Sequence, residues 1–335
     1  MKITILGAGA IASALVIPLT DRGHKLRLWF TEYDMFIYEK VSRGEPHPRT
    51  KIILPRKIEL YKPDELESAL RGTDAIIIAV SSRGVLPVSK RIRETIGVPN
   101  VPLIVVAKGL EIVGERVMSM TEIVSKYTSG KEVVYVGGPS LAVELANRRP
   151  TYVVYASRRL ELAERLAREF QTKYYKITVT DDVMGVELSA ALKNIYAMAY
   201  GIVEGYLESN KIVNNNLKAA VLSKGIEEMS LIVSFCGGRK DTVYGLGGLG
   251  DLYVTSLGGR NSMFGRLLGS GLSVEEALKE MERRGVGVVE GYRNAETINK
   301  FLEQRNIPRD KTPIFNAVYG ILYENKPVEF LLESI

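Results

Sequence analysis

The residue with the least ordinary setting is Lys193. It lies in Val186–Val203, an apolar stretch whose only charged residues are Glu187 and Lys193. In a helix its neighbours three and four positions away are Ser189, Ala190, Tyr196 and Ala197. Small neighbours leave room for a ligand, and no carboxylate on that face accounts for the charge. A desolvated lysine titrates below its usual range and can exchange a proton near neutrality. The competing reading is a lysine snorkelling from a partly exposed helix, and the residues alone do not separate the two.

Histidine is the commonest general acid or base, and the chain has two. His24 lies in an Arg22-Gly23-His24 turn between a helix and a strand, at the end of an α/β layer away from chemistry. His47 lies in a proline-rich loop, Glu45-Pro46-His47-Pro48. Neither is read as catalytic. Two histidines and one cysteine, Cys236, also argue against a transition-metal site, so no metal is expected. A single cysteine excludes an intrachain disulfide and suits a reducing, cytoplasmic location.

A second chemical signature stands near the start. Gly7-Ala8-Gly9-Ala10-Ile11-Ala12 follows a β-branched run and precedes a helical pattern. This is the G-x-G-x-x-G/A dinucleotide fingerprint. The first glycine permits the tight turn, the second lets the backbone approach a pyrophosphate, and Ala12 allows close helix–sheet packing. The helix N-terminus supplies free N–H groups and partial positive charge to the phosphates. At the tip of the second strand an acidic residue would hold a ribose 2′-hydroxyl and favour NAD. Here Thr31 occupies the tip and Glu32 follows. Thr31 leaves room for a 2′-phosphate without an adjacent arginine, so the cofactor is NADP or NAD with a lean to NADP.

These residues need elements to position them. The runs Lys2–Leu6, Lys25–Phe30, Asp74–Val80, Val101–Val106 and Glu132–Gly137 are continuous and rich in β-branched residues, as suits parallel strands buried on both faces. Helical patterns such as Ala10–Arg22 and Arg83–Ile96 alternate with them. Thr151–Ala156 and Tyr174–Val179 extend the same sheet. After about Thr180 helical periodicity takes over, in Asp181–Leu207, Leu217–Phe235, Ser273–Arg283, Ala295–Gln304 and Pro313–Tyr323. Thr180 and Ser273 are placed to cap helices. One loop is glycine-rich, Gly245–Gly250. The predicted fold is α/β: an N-terminal Rossmann-like doubly wound sheet, residues 1–182, for the dinucleotide, and a C-terminal all-helical substrate and catalytic domain, residues 183–335.

Composition narrows the partners. The 335 residues are 46% hydrophobic and 25% charged, an ordinary globular balance. A membrane span is not expected, because a lysine at the centre of Val186–Val203 is costly there. The formal charge of +6 reads first as solvated surface lysine and arginine, and is only permissive of nucleic acid, anionic lipid or an anionic substrate. No long basic run or aromatic–basic interleaving points to nucleic acid. The apolar helices are long enough for a homodimer face, and homodimers are the commonest oligomers.

Taken in order, the motifs resemble those of the bacterial-type NAD(P)-dependent glycerol-3-phosphate dehydrogenase family over nearly the whole chain. They are Gly7–Ala12, Ala107-Lys108-Gly109, Gly137–Ala142, Leu192-Lys193-Asn194, Asn215–Ala220, Gly245–Leu252, Gly259-Arg260-Asn261 and Val289-Glu290-Gly291. The resemblance implies reversible reduction of dihydroxyacetone phosphate, a small phosphorylated substrate, to sn-glycerol 3-phosphate, feeding glycerophospholipid metabolism. It implies that Lys193 is the proton donor in reduction. Lys108 would touch substrate and cofactor. Gly138, Ser140, Asp251, Arg260 and Asn261 would hold substrate. Gly7, Gly9, Ala10, Ile11, Ala12, Thr31, Ala142, Arg260, Val288 and Glu290 would line the cofactor.

Each implied role has a physical reading and a plainer rival. Lys108 follows a strand, at the edge where such sheets place ligands. Pro139, as a first helical residue, would free the amides of the Ser140 turn for an anion. Asp251 would take a substrate hydroxyl or orient Lys193; alone it reads equally well as a helix cap. Arg260 otherwise reads as a surface ion pair and Glu290 as an N-terminal helix charge.

The chain departs from the family pattern in four places. Ala10-Ile11 replaces Ser-Trp, Thr31 replaces an arginine, the Asp251–Asn261 segment is shorter, and Gly259 replaces a serine. That last contact would fall to Ser256 or to a backbone amide. The rival readings are another reductase of this architecture, of the ketopantoate or hydroxyacyl-CoA type, and a non-catalytic dinucleotide sensor.

Overall fold

The computed structural model describes residues 1–287 and 289–335. Two compact units divide the chain: Met1–Glu111 with Met118–Val183, and Ile112–Val117 with Met184–Ile335.

The first unit is built on strands β1 (Lys2–Leu6), β2 (Lys25–Trp29), β3 (Glu59–Tyr61), β4 (Ala75–Ile78), β5 (Leu103–Val105), β8 (Val133–Gly137), β9 (Thr151–Ala156) and β10 (Tyr175–Thr180). Between β5 and β8 lies a small hairpin, β6 (Leu110–Val113) and β7 (Arg116–Ser119). The main sheet runs β10-β9-β8-β5-β4-β1-β2-β3. All pairs are parallel except β8 with β9. Strand order therefore reverses on either side of β1, which creates the switch point where doubly wound sheets place ligands. Continuous apolar strands such as β4, Ala-Ile-Ile-Ile, are buried along their whole length, as two-sided covering by helices requires.

The helices of this unit are α1 (Ala10–Asp21), α2 (Met35–Ser42), α3 (Leu66–Leu70), α4 (Ser82–Ile96), α5 (Met120–Thr128), α6 (Ala142–Ala146) and α7 (Leu160–Phe170). Ala12 and Ala14 are fully buried and belong to the core with Ile3, Ile5 and Leu28. A small residue at each of those helix positions lets α1 lie close on the sheet. The sequence reading placed Pro139 at the start of a helix. The structure does not: Pro139 and Ser140 are in extended loop and α6 begins at Ala142. Gly138 adopts φ 97°, a left-handed turn that redirects the chain before a helix can start.

The second unit is helical: α8 (Val183–Ser209), α9 (Asn215–Phe235), α10 (Lys240–Tyr244), α11 (Asp251–Ser256), α12 (Arg260–Gly269), α13 (Val274–Arg283), α14 (Glu290–Gln304), α15 (Pro313–Tyr323) and α16 (Glu329–Leu332). Ser273 caps α13, with Glu276 closing a capping box. Thr180 instead takes the Asp182 N–H at 3.2 Å, and the helix starts at Val183. The glycine-rich run is not a loop: Leu246–Gly250 winds as a π-helical turn leading directly into α11.

A close crossing sets α8 against α12. A Cβ added at Gly201 or Gly205 would strike the backbone of Ser262 or Arg266. A Cβ at Gly265 or Gly269 would strike that of Met198 or Ile202. Four glycines on two facing stripes thus bring the helices backbone to backbone, and with them the residues each carries.

Candidate functional site

In the first unit the chemistry gathers at the carboxyl ends of the central strands. Gly7 turns at φ 98°, and a Cβ there would meet Val80 Cγ1 at 2.8 Å and Ala79 O at 3.0 Å. Only glycine fits. Gly9 is the opposite case, since a Cβ there would meet nothing within 4 Å. Its backbone faces open space, as a turn receiving a pyrophosphate requires. Ala10 and Ile11 open α1 half-buried, and Ala12 is buried behind them. The residues present fit a dinucleotide.

Thr31 lies just past β2, and its hydroxyl donates to Asp34 Oδ2 at 2.6 Å. The Thr31 N–H reaches the same oxygen at 3.1 Å, and the Ala8 N–H reaches it at 3.3 Å. Asp34 therefore ties the strand tip to the glycine turn. Sequence reading missed it because it stands three positions beyond the tip, inside a 3₁₀ turn. Glu32 points to another task and pairs with Arg91 at 2.7 Å.

Lys108 extends from the end of β5, and its Nζ donates to Gly138 O at 3.0 Å. That bond brings together two of the predicted substrate residues. Ser140 is half-buried in the loop after Gly138, and Ala142 opens α6.

In the second unit the Lys193 Nζ donates to Asp251 Oδ1. Both side chains are buried, at 9% and 1% exposure. Snorkelling is excluded, because the amine turns inward to a carboxylate. Asp251 caps no helix; it is the first residue of α11 and spends its oxygen on the lysine. The π turn delivers it there. Gly247 packs on Val186 of α8, at 3.4 Å for an added Cβ, and Gly248 has no space for one beside Val243 O. A side chain at Gly248 would strike the backbone of α10 and displace the turn that carries Asp251.

Neighbouring polar groups are tied to this pair. Asn261 Nδ2 donates to Asn194 Oδ1 at 2.8 Å, and Asn261 Oδ1 accepts the Gly291 N–H at 2.8 Å. Helices α8, α12 and α14 are joined through one amide side chain. Asn194 Nδ2 is buried and has no hydrogen-bond partner among the described residues. Thr255 lies one turn after Asp251, and its hydroxyl donates to Asp251 O at 2.6 Å; sequence reading passed over it. Ser256 is not the substitute for the serine missing at Gly259. It is buried, and its hydroxyl donates to Leu252 O at 2.9 Å.

Arg260 is exposed at the start of α12, and its guanidinium stands 3.6 Å from Glu290 at the start of α14. Val288 lies outside the described residues. Three residues past Lys193, the Tyr196 hydroxyl donates to Glu228 Oε1 at 2.9 Å. Glu228 also accepts the N–H groups of Ile314 and Phe315, both at 2.9 Å. Burial pushes the Glu228 carboxyl up to about 7, against the pull of those donors.

Both histidines are engaged by backbone. His24 contacts Met1 N at 3.3 Å and Glu169 O at 3.1 Å. His47 is fully buried, with Nε2 2.9 Å from Ala8 O. Among the described residues no group of His, Cys, Asp and Glu is arranged to hold a metal. No described helix is long and apolar enough to cross a membrane.

Two family models match the chain in succession. Residues 2–163 match the N-terminus of NAD-dependent glycerol-3-phosphate dehydrogenase, and residues 182–333 match its C-terminus. The chain is 38% identical to the NADP(+)-dependent glycerol-3-phosphate dehydrogenase of Archaeoglobus fulgidus, over 99% of this chain and 98% of that protein. It is 34% identical to the glycerol-3-phosphate dehydrogenase [NAD(P)+] of Bacillus pumilus, over 100% of this chain and 93% of that protein. The crystal structure of glycerol-3-phosphate dehydrogenase from Coxiella burnetii superposes with a TM-score of 0.85 at 30% identity, covering 99% of this chain and 98% of that one.

A Rossmann-type sheet with a glycine turn, joined in sequence to a helical unit that buries a lysine–aspartate pair, defines a nicotinamide-dependent oxidoreductase. The chain belongs to the NAD-dependent glycerol-3-phosphate dehydrogenase family.

Proposed function

We propose that this chain interconverts dihydroxyacetone phosphate and sn-glycerol 3-phosphate, and so serves glycerophospholipid metabolism. The observation that carries the reading is the buried Lys193–Asp251 pair. A buried amine held by a carboxylate is positioned to pass a proton to a ligand atom.

The first unit holds the dinucleotide. Gly7, Gly9, Ala10, Ile11 and Ala12 present backbone to the pyrophosphate, and Thr31 takes the adenosine ribose. Ala142, at the start of α6, lines the same cofactor. When bound, the nicotinamide supplies or accepts the hydride. NADP is the favoured form. Arg49 and Lys51 lie on the loop whose His47 bonds the glycine turn, and both charges act on that ring. They offer the cations that the tip of β2 lacks, and the 38% identical Archaeoglobus fulgidus protein is named NADP(+)-dependent.

The second unit supplies the proton. Lys193 Nζ delivers it to the substrate oxygen in reduction and recovers it in oxidation. Asp251 fixes the amine. A positioned acid of this kind is worth roughly 10²–10⁴-fold in rate. Lys108, held by the Gly138 carbonyl, is the substrate cation of the first unit, beside Gly138 and Ser140. Arg260 and Asn261 hold the phosphate, which carries about −1.5 to −2 charge at neutral pH. We place the enzyme in the cytoplasm as a homodimer.

Initial rates of reduced-cofactor consumption with dihydroxyacetone phosphate test the reading. Turnover with NADPH above that with NADH supports it. No turnover with either, in a protein that binds NADPH, refutes it.

A further inference from the structure

We propose that His47 is a positioning residue of the dinucleotide turn: it holds the Ala8 carbonyl so that the Gly9 N–H is aimed at the pyrophosphate. The proposal rests on the reading of Gly7–Ala12 as the dinucleotide turn, and adds a residue 39 positions away to that site.

His47 is fully buried, in a loop with prolines on either side. Its Nε2 lies 2.9 Å from Ala8 O. A carbonyl only accepts, so Nε2 carries the hydrogen. Its Nδ1 lies 3.3 Å from the backbone N–H groups of both Arg49 and Thr50, and 3.2 Å from Thr50 Oγ1. The two N–H groups are donors, so Nδ1 offers its lone pair. The ring is therefore the neutral Nε2–H tautomer, fixed by its partners on both sides. Burial, reinforced by the charges of Arg49 and Lys51 and opposed by Asp34, also disfavours its protonation. The loop is pinned a second time, since Thr50 Oγ1 lies 3.1 Å from Ser13 Oγ, and Ser13 donates to Ala10 O at 2.9 Å.

The consequence lies in the peptide plane. Among the described residues no peptide is cis. In a trans peptide the C=O and the following N–H point in opposite directions. With Ala8 C=O held toward His47, the Gly9 N–H must point away from it, while Asp34 anchors the preceding peptide through the Ala8 N–H. Gly9 has open space where a side chain would be. A glycine peptide is otherwise among the freest in any chain, so a turn with Gly7 and Gly9 needs something to stop it flipping. His47 is that stop.

Two substitutions separate this role from simple loop anchoring. His47→Gln places an N–H donor near the Nε2 position but no acceptor at Nδ1. His47→Asn does the reverse. Both are made in the full-length protein and checked for folding by circular dichroism. The probe is NADPH, followed by energy transfer from Trp29, the single tryptophan. His47→Asn is expected to raise the Kd for NADPH about tenfold, and His47→Gln to stay within about threefold of wild type. If Asn binds NADPH as wild type does, or better than Gln, the proposal is overturned.

Should His47→Asn not fold, His47→Phe reads the same claim by keeping a ring in the site while removing the Nε2 donor to Ala8 O. A several-fold rise in Kd supports it, and a Kd within about twofold of wild type overturns it. Wild-type protein that fails to bind NADPH would remove the dinucleotide reading itself, a result distinct from a silent His47 variant.

Discussion

Lys193 and Asp251, 58 residues apart in the chain, form a buried ion pair between α8 and the first residue of α11. Removing one partner strands a charge away from water, which costs about 3–5 kcal/mol. Asp251→Ala is therefore expected to lower the urea-unfolding free energy by that order. The double variant Lys193→Met/Asp251→Leu should recover most of the loss, yet remain without turnover. A double variant no more stable than Asp251→Ala would show that the pair is not energetically coupled.

The crossing of α8 and α12 gives a second expectation. Gly265 lies against Met198 O with no space for a methyl group. Gly265→Ala should cost about 1–3 kcal/mol or more as the helices are pushed apart. It should also raise the KM for dihydroxyacetone phosphate, because Arg260 and Asn261 ride on α12. Thermal unfolding and steady-state kinetics check both effects. An unchanged melting temperature would mean that the helices are not locked by this contact.

Glu228 makes stability depend on pH with a definite sign. Burial raises its folded-state pKa from 4.5 to about 7, despite bonds from the backbone of Phe315 and Ile314 and from the Tyr196 hydroxyl. The folded protein therefore holds this proton more tightly than the unfolded chain. The stabilising contribution is complete below about 4.5 and is lost as pH rises through about 7. Its size is on the order of 3 kcal/mol. Urea midpoints at pH 5.5 and pH 8 should fall more in wild type than in Glu228→Gln. Equal falls in the two proteins would remove Glu228 as the source.

Cofactor choice is expected to turn on the loop after His47. Arg49→Gln should reduce kcat/KM for NADPH by about 10–100-fold, the loss of a charge-assisted contact, while the value for NADH falls far less. Parallel losses with the two cofactors would place the 2′-phosphate elsewhere.

The fold was legible because its signals are local. β-branched runs marked the buried strands, the glycine spacing marked the turn, and a lysine among apolar residues marked α8. What escaped depends on contacts distant in sequence or on irregular backbone. β3 is three residues long and half-exposed, so it has no apolar run. The β6–β7 hairpin is held in part by Gln304, which donates to Glu115 O and accepts the Val117 N–H, and nothing near residue 115 announces that partner. Pro139 suggested a helix start, but the left-handed Gly138 turn before it leads into extended chain. The glycine run before Asp251 looked like a loop, although Gly248 is what lets the π turn lie against the backbone of Val243. His47 was set aside as a loop residue because its two informative contacts, with Ala8 and Ser13 through Thr50, join segments far apart in the chain.

The central claim is that the Lys193 amine moves the proton. The most direct test is single-turnover oxidation of enzyme-bound NADPH by dihydroxyacetone phosphate in Lys193→Ala. The rate should fall at least about 10²-fold below wild type with the NADPH Kd unchanged. A Lys193→Ala protein that turns over at a near-wild-type rate would contradict it.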